Sequence, residues 1–316
     1  MPEIPAPINH TVTAIYEALA KQRRGGDGDA VPMSDCVNPC DRAIWYGFHW
    51  VSPAEEVDGE KASRFATGEF WETRLLEELQ AIGVHVERFE PHTGRQVSVT
   101  RANGLMRGKL DGKCQGLPDA PQAVHVVECK SHNEKSFKDL VKKGVKDAKP
   151  DHYAQVQMYM RGTGLDRTLY LAVNKNTDER YAERLPYDPL FAAQVEARIE
   201  RIVHLAEPPA RLHDDPTSKA AFACGWCRHK SVCHEKAFAR VNCRTCLRST
   251  VGVPWMCERD GDRAQLSYQA AQAGCDHHRF IPALVPGEQV DVIFGDRIVY
   301  QMKNGDHWID GDRGTS

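Results

Sequence analysis

Residues 105–130 read LMRGKLDGKCQGLPDAPQAVHVVECK, two short runs punctuated by Gly108, Gly112, Gly116, Pro118 and Pro121. Short alternating or β-branched runs bounded by such residues predict strands. Successive strand side chains project to opposite faces, so Glu128 and Lys130 share one face while Cys129 points away. The lead-in AVHVV is apolar, and a strand that buries itself should not end in Glu and Lys without a reason. If the upstream strand returns as a hairpin partner, the Asp111 carboxylate arrives beside them. Carboxylates on adjacent strand ends are hard oxygen donors suited to Mg²⁺ or Mn²⁺. A neighbouring ammonium can orient or help deprotonate a metal-bound water and stabilise charge developing on a phosphate. Such equipment serves phosphodiester hydrolysis. Asp111-Gly112-Lys113 and Asp147-Ala148-Lys149 are rival triplets, and the apolar lead-in singles out Glu128.

Outward from this stretch, helices and strands alternate. Residues 9–22 have helical spacing, and a second helix is expected over 65–81, where Phe65, Phe70, Trp71, Leu75, Leu76 and Leu79 form an apolar face before Gly83. Further strands are expected in VHVERF (84–89) and RQVSVT (95–100). A lysine-rich stretch runs to Lys149, and Pro150 then opens a helix, DHYAQVQMYMRG, that Gly162 and Gly164 stop. DRTLYLAVNK (166–175) reads as a buried strand and 187–207 as a long amphipathic helix. This order predicts an α/β core with a central mixed β-sheet flanked by helices. Beyond Pro208 and Pro209 the texture shifts to cysteine, histidine and arginine, which places a boundary near residue 210 and leaves two or three short strands for the end of the chain.

A chain of 316 residues with 41% apolar content can bury a real core, which excludes a disordered or disulfide-stapled miniature. No stretch approaches the roughly 20 apolar residues of a membrane helix. The start, MPEIPAPINH, lacks a basic and apolar leader, so a soluble, unexported cytoplasmic chain is expected. With 41 basic against 44 acidic residues, the net charge of -3 argues against coating nucleic acid by bulk charge. Any such contact must be local.

Cysteine usage is distinctive: of 11 cysteines, Cys224, Cys227, Cys233, Cys243, Cys246, Cys257 and Cys275 crowd into one C-terminal stretch. Clustered thiols in a reducing compartment point to metal rather than disulfides. Cys243, Cys246, Cys257 and Cys275 read as a closed tetrahedral zinc site in a small C-terminal metal-binding module, with His277 or His278 as an alternative fourth ligand. Cys224, Cys227 and Cys233 with His229 or His234 offer a second local zinc set.

Gln155 and Tyr159 are four positions apart and share one face of the helix after Pro150. Asp111, then Glu128-Cys129-Lys130, then Gln155-x-x-x-Tyr159 resembles the RecB-like branch of the PD-(D/E)XK nucleases, over roughly residues 35–235. Upstream, Gly68-Glu69-Phe70-Trp71-Glu72 looks like that branch's Gly-x-x-x-Glu helix. The likeness implies that Glu72, with Glu69 as rival, joins Asp111 and Glu128 around Mg²⁺ or Mn²⁺. Lys130 is then the catalytic lysine, and Gln155 and Tyr159 position DNA and that lysine. Cys40, early in the chain, with Cys224, Cys227 and Cys233 resembles the split four-cysteine site of AddAB-type and CRISPR-adaptation nucleases, which holds a [4Fe-4S] cluster tying the ends of the domain together. Cys40-Asp41-Arg42 departs from the usual Cys-Pro-Arg, and Cys36 competes for the fourth position.

Three regions follow: an N-terminal helix and linker (1–34), a nuclease domain closed by the cluster (35–235), and a zinc-binding appendage (236–316). What the resemblance implies is exonuclease action on DNA ends, single strands among them, in recombination, repair or replication. The host would be a bacterial cell or a phage-infected one, with a helicase or recombination protein acting in trans because the chain has no phosphate-cradling glycine loop. The rival expectation is a non-catalytic DNA-binding or annealing accessory. Arg228, Lys230, Lys236, Arg240, Arg244 and Arg248, interleaved with Trp226, Phe238 and Trp255, form a basic stripe suited to phosphates and unpaired bases. His125, His132 and His152 are expected as structural hydrogen-bonders, and Trp45, Tyr46, Phe48 and Trp50 as core.

Overall fold

A computed structural model describes residues 9–23, 26–54, 56–293 and 297–311. Residues 1–8, the opening of the expected N-terminal region, lie outside the described residues. In chain order the elements are α1 (His10–Gln22), β1 (Val31–Pro32), α2 (Asp41–Phe48), α3 (Gly59–Ala81), β2 (His85–Glu87), β3 (Ser98–Arg101), β4 (Met106–Lys109), β5 (Gly112–Gln115), β6 (His125–His132), α4 (Glu134–Ala148), α5 (Pro150–Thr163), β7 (Arg167–Asn174), β8 (Arg180–Pro186) and α6 (Pro189–Val203). After these come α7 (Phe222–Gly225), α8 (Lys230–His234), β9 (Ser249–Thr250), β10 (Met256–Cys257), β11 (Ala264–Gln265), α9 (Tyr268–Ala273), β12 (Gly287–Ile293), β13 (Arg297–Met302) and β14 (His307–Asp310).

The central sheet runs β2-β5-β6-β7-β8. β6 and β7 are parallel and the other pairs antiparallel, so the sheet is mixed. α3 covers one face through Leu75, Leu76 and Leu79, which meet Val127, Cys129, Leu169 and Val173. α4 and α5 cover the other through Phe137, Leu140, Val145, Tyr153 and Val156 against Tyr170, Ala172 and Leu185. This is the α/β architecture that the order of elements predicts.

Local chemistry moves several boundaries. α3 starts at Gly59 rather than near Phe65 because the Asp58 side chain accepts the Lys61 N–H at 2.7 Å, satisfying an orphan donor of the first turn. The run LMRGKLDGKCQG is two strands, not one. The chain bends at Leu110 and Asp111, so that β4 pairs with β1 and β3 while β5 joins the central sheet. The lysine-rich stretch becomes α4, capped by Asn133, with Phe137, Leu140 and Val145 buried and Lys135, Lys138, Lys142 and Lys143 in solvent. β8 is an edge strand whose alternate side chains face water, and its charged pattern (RYAERLP) gave little strand signal.

The chain beyond residue 210 packs on the main body. Trp255, Phe280, Ile281, Leu284, Val285 and Tyr300 are buried in the same cluster as Trp45, Tyr46 and Phe48. Arg244, expected in an exposed basic stripe, is 4% exposed. Its guanidinium lies 3.7 Å from the Trp50 ring centroid and 5.0 Å from that of Trp255, and Nη1 donates to the Phe48 carbonyl at 2.8 Å. Burial lowers its pKa to about 10. A desolvated cation over indole faces makes this arginine a rivet between α2 and the cysteine-rich tail.

Candidate active site

Asp111 sits at the bend entering β5, and its Oδ2 accepts the backbone N–H of Cys129 on β6 at 2.7 Å. Register places Gly112 opposite Val127, so the carboxylate reaches the strand beside Glu128. Glu128 is 1% exposed. The Lys130 ammonium pairs with its Oε1, while Oε2 is buried without a hydrogen-bond partner. Glu72 reaches the same neighbourhood from α3, with its Oε1 accepting from Arg88 Nη2 at 2.6 Å. Glu69 instead pairs with Arg23 on the exposed side of the helix.

Electrostatics bind these groups into one unit. Burial, then the Glu128 charge, pushes the Asp111 carboxyl well above the usual range; Lys130 opposes the rise and Glu72 adds to it. Burial also raises Glu128, against Lys130 and with Glu72. For Lys130 burial works against the charged form, yet Glu128 and Asp111 outweigh it and hold the ammonium above its ordinary value. Like charges kept this close out of water are costly unless a cation joins them. Among the described residues, no group of three or more His, Cys, Asp or Glu side chains stands in metal-holding geometry. Each carboxylate is turned toward its own partner: Glu72 to Arg88, Asp111 to an N–H and Glu128 to Lys130. The donor set nonetheless fits a hard divalent ion, since all three groups are carboxylates within one another's fields and one buried oxygen lacks a partner.

Gln155 and Tyr159 lie buried on α5, and Gln155 Nε2 donates to Tyr159 Oη at 2.8 Å. Burial, then the Glu128 charge, raises the Tyr159 pKa, so the phenol keeps its proton beside the acids. Two neighbours escaped the sequence reading. Arg88 lies 16 positions from the Glu72 it neutralises, across a helix–strand junction with no local pattern. Tyr170 faces Glu128 in the β6–β7 register, and its Oη bonds His132 Nε2 at 3.0 Å and His152 Nδ1 at 2.8 Å. Only the parallel alignment of two strands reveals that cluster. Burial first, then nearby lysines, lowers the pKa of His132 to about 4 and that of His152 to about 3. His125 hydrogen-bonds the Ala123 carbonyl instead.

The early and late cysteines also approach one another. Burial raises the Cys224 thiol, and Cys40 and Cys233 raise it further. Cys227 is raised by burial first and then by Cys40, Cys233 and Cys224. Cys36 is fully buried in the main core, where burial pushes its thiol up to about 12. In the second set, burial pushes Cys243 up to about 11, and Cys246, Cys275 and Cys257 add to the rise. Pairing of Cys257 with Ser249, whose N–H bonds the Cys246 carbonyl at 3.1 Å, brings Cys246 and Cys257 onto neighbouring stretches of backbone. Two of the four histidines weighed as zinc ligands have other contacts: His229 Nδ1 is 2.9 Å from Ser52 Oγ, and His278 Nε2 is 3.2 Å from Thr245 Oγ1.

No protein-family model matches this chain, and no curated protein sequence does. Solved structures similar to it include SSO0001, at 13% identity and a TM-score of 0.42, covering 71% of this chain and 96% of that one. LHK-Exo in complex with dAMP is similar at 14% identity and a TM-score of 0.42, over 60% of this chain and 90% of that one. The alkaline exonuclease LHK-Exo from Laribacter hongkongensis matches at 14% identity and a TM-score of 0.40, over 59% and 90%. Among the described residues, no helix is long and apolar enough to cross a membrane.

Proposed function

We propose that this chain is a divalent-metal-dependent deoxyribonuclease of the PD-(D/E)XK type that hydrolyses DNA phosphodiesters, as an exonuclease in recombination, repair or replication. What carries the reading is the meeting of Asp111, at the bend entering β5, with Glu128 and Lys130 in the middle of β6, where Glu72 is brought in from α3 and Glu128 Oε2 lacks a partner. Glu72, Asp111 and Glu128 would hold Mg²⁺ or Mn²⁺. When bound, such an ion would supply Lewis acidity toward a phosphate oxygen and would make a water easier to deprotonate. The chain's own residues do the rest. Lys130 keeps its proton on Nζ and presents positive charge where negative charge grows on the phosphate. Tyr159, fixed by Gln155, keeps its phenol proton within the field of Glu128. The exposed lysines of α4, following directly on β6, offer backbone phosphates a local contact that the net charge does not.

The same reading assigns a [4Fe-4S] cluster to Cys40, Cys224, Cys227 and Cys233, and zinc to Cys243, Cys246, Cys257 and Cys275. The catalytic unit spans residues 35–235 and the metal-bound appendage 236–316, and a helicase or recombination protein acts in trans. Incubating the protein with end-labelled linear DNA and Mn²⁺ tests the enzymatic reading. Cleavage that is abolished by Asp111→Ala is expected, and undiminished cleavage by that variant would overturn it. Anaerobic purification followed by metal analysis tests the thiol sites: iron with sulfide, and zinc, should be lost separately on Cys227→Ser and Cys246→Ser.

A further inference from the structure

On residues that belong to none of the acidic groups, α2, Arg211, the end of α8 and the C-terminal sheet line an open cleft of about 490 Å³. Four cations line it: Arg42, Arg211, Lys236 and Lys303, with Glu288 as the one carboxylate among the lining residues. We propose that this cleft is a phosphate-binding site, distinct from the acidic centre, that seats either a backbone phosphate of a nucleic acid strand or a free phosphate group.

Three observations carry the proposal. First, cations crowd one lysine: Lys303 and then Arg211 press the Lys236 pKa down, against a smaller opposing effect of Glu288. Among the described residues no ion pair joins Arg211, Lys236 or Lys303 to a carboxylate. Converging ammonium and guanidinium groups repel unless an anion with several acceptor oxygens lies between them, and a phosphate supplies those oxygens. Second, Lys236 stands at φ +60, just past the end of α8, where Ala237 N–H reaches the Ser231 carbonyl at 3.0 Å. That left-handed closing position favours glycine, yet a lysine occupies it and extends from a fixed backbone. Third, Arg42 is preorganised: its Nε donates to Tyr46 Oη at 2.9 Å, Nη1 donates to the Pro209 carbonyl, and the guanidinium lies 5.0 Å from the Tyr46 ring centroid. Guanidinium donors held in a fixed fork suit phosphate oxygens. The inference does not depend on the nuclease reading, because none of its residues belongs to the acidic centre.

The test compares the full chain with Lys236→Ala/Lys303→Ala, whose altered side chains are exposed. One arm measures the thermal midpoint in inorganic phosphate against chloride at fixed ionic strength. The other measures the salt dependence of binding to a single-stranded oligonucleotide. A phosphate-specific rise of a few degrees, absent in the variant, supports a free-phosphate occupant. A salt slope smaller by about two in the variant supports a backbone occupant. No phosphate-specific rise together with an unchanged slope overturns the site. A merely structural pair of lysines would move the basal midpoint alone, which counts as that negative result.

Discussion

The Asp111 carboxylate is tethered to Cys129: its Oδ2 accepts that residue's backbone N–H at 2.7 Å, fixing an acid at the bend before β5 against β6. An asparagine can keep the hydrogen bond through its side-chain oxygen and lose only the charge. Asp111→Asn is therefore expected to fold and to lose roughly 10²-fold or more of metal-dependent cleavage, the scale of several kcal/mol of transition-state stabilisation. In chelator-treated protein the variant should be at least as stable as the parent, because a buried like charge beside Glu128 and Glu72 has gone. Thermal unfolding and single-turnover cleavage together check this. A variant that cleaves normally, or fails to fold, contradicts it.

Glu128 and Lys130 are unequal partners: the carboxylate is 1% exposed and the lysine side chain 26%. Removing the ammonium alone leaves a nearly fully buried carboxylate, so Lys130→Met should cost about 3–5 kcal/mol unless Glu128 takes up a proton. Glu128→Gln/Lys130→Met replaces both charges and should recover most of that stability while remaining inactive. Denaturant unfolding of the two single variants and the double one supplies the cycle. Additive losses would mean that the two groups do not depend on each other.

That Glu128 and Lys130 share a face was legible because strand periodicity requires nothing beyond one strand, whereas the approach of Asp111 and Glu72 depends on how separate elements meet. Gln155 and Tyr159 were legible for the same reason on a helix, and their hydrogen bond follows from four-residue spacing. What escaped depends on alignment between elements. Arg88 against Glu72, Tyr170 against Glu128, and Arg244 inside its aromatic cage are set by register and packing that no window of sequence contains. The tail's packing was hidden for a related reason: it has little periodicity of its own, while its apolar residues share a buried cluster with Trp45 and Phe48.

Gly108 on β4 is the close-approach point between the small sheet and α5. A β-carbon there would meet Tyr159 Cε1 at 2.4 Å and Met33 Sδ at 2.9 Å, so something must shift. Gly108→Ala is expected to cost about 1–3 kcal/mol by overpacking. Displacement of the Tyr159 ring should also lower kcat while leaving DNA affinity nearly unchanged. Gly108→Ala/Tyr159→Ala should lose less stability than the two single losses added together, since removing the ring also removes the clash, and should lack the activity that the phenol supports. Unchanged kcat in a destabilised Gly108→Ala would show that Tyr159 is packing alone.

His49 supplies the pH dependence. Its ring is 3% exposed, stacks 3.7 Å from the Trp45 ring centroid, and has Nδ1 3.0 Å from the Trp45 carbonyl. Burial, with the Arg244 charge in support, lowers its pKa to about 3. The unfolded chain binds that proton near pH 6.5 and the folded chain does not, so the contribution is intact above about pH 6.5 and is lost as pH falls toward 3. His49→Phe keeps a stacking ring and removes the titration. At pH 7.5 the variant should be less stable by about 1 kcal/mol for the lost hydrogen bond. As pH falls below about 6.5 the parent should lose ground to it by up to about 1.4 kcal/mol per unit, reversing the order by about pH 5. Other titrating groups are common to both proteins, so they cancel in the difference. Denaturant unfolding of both proteins from pH 8 to pH 5 measures it directly, and a gap that stays constant over that range would mean His49 charges freely within the fold.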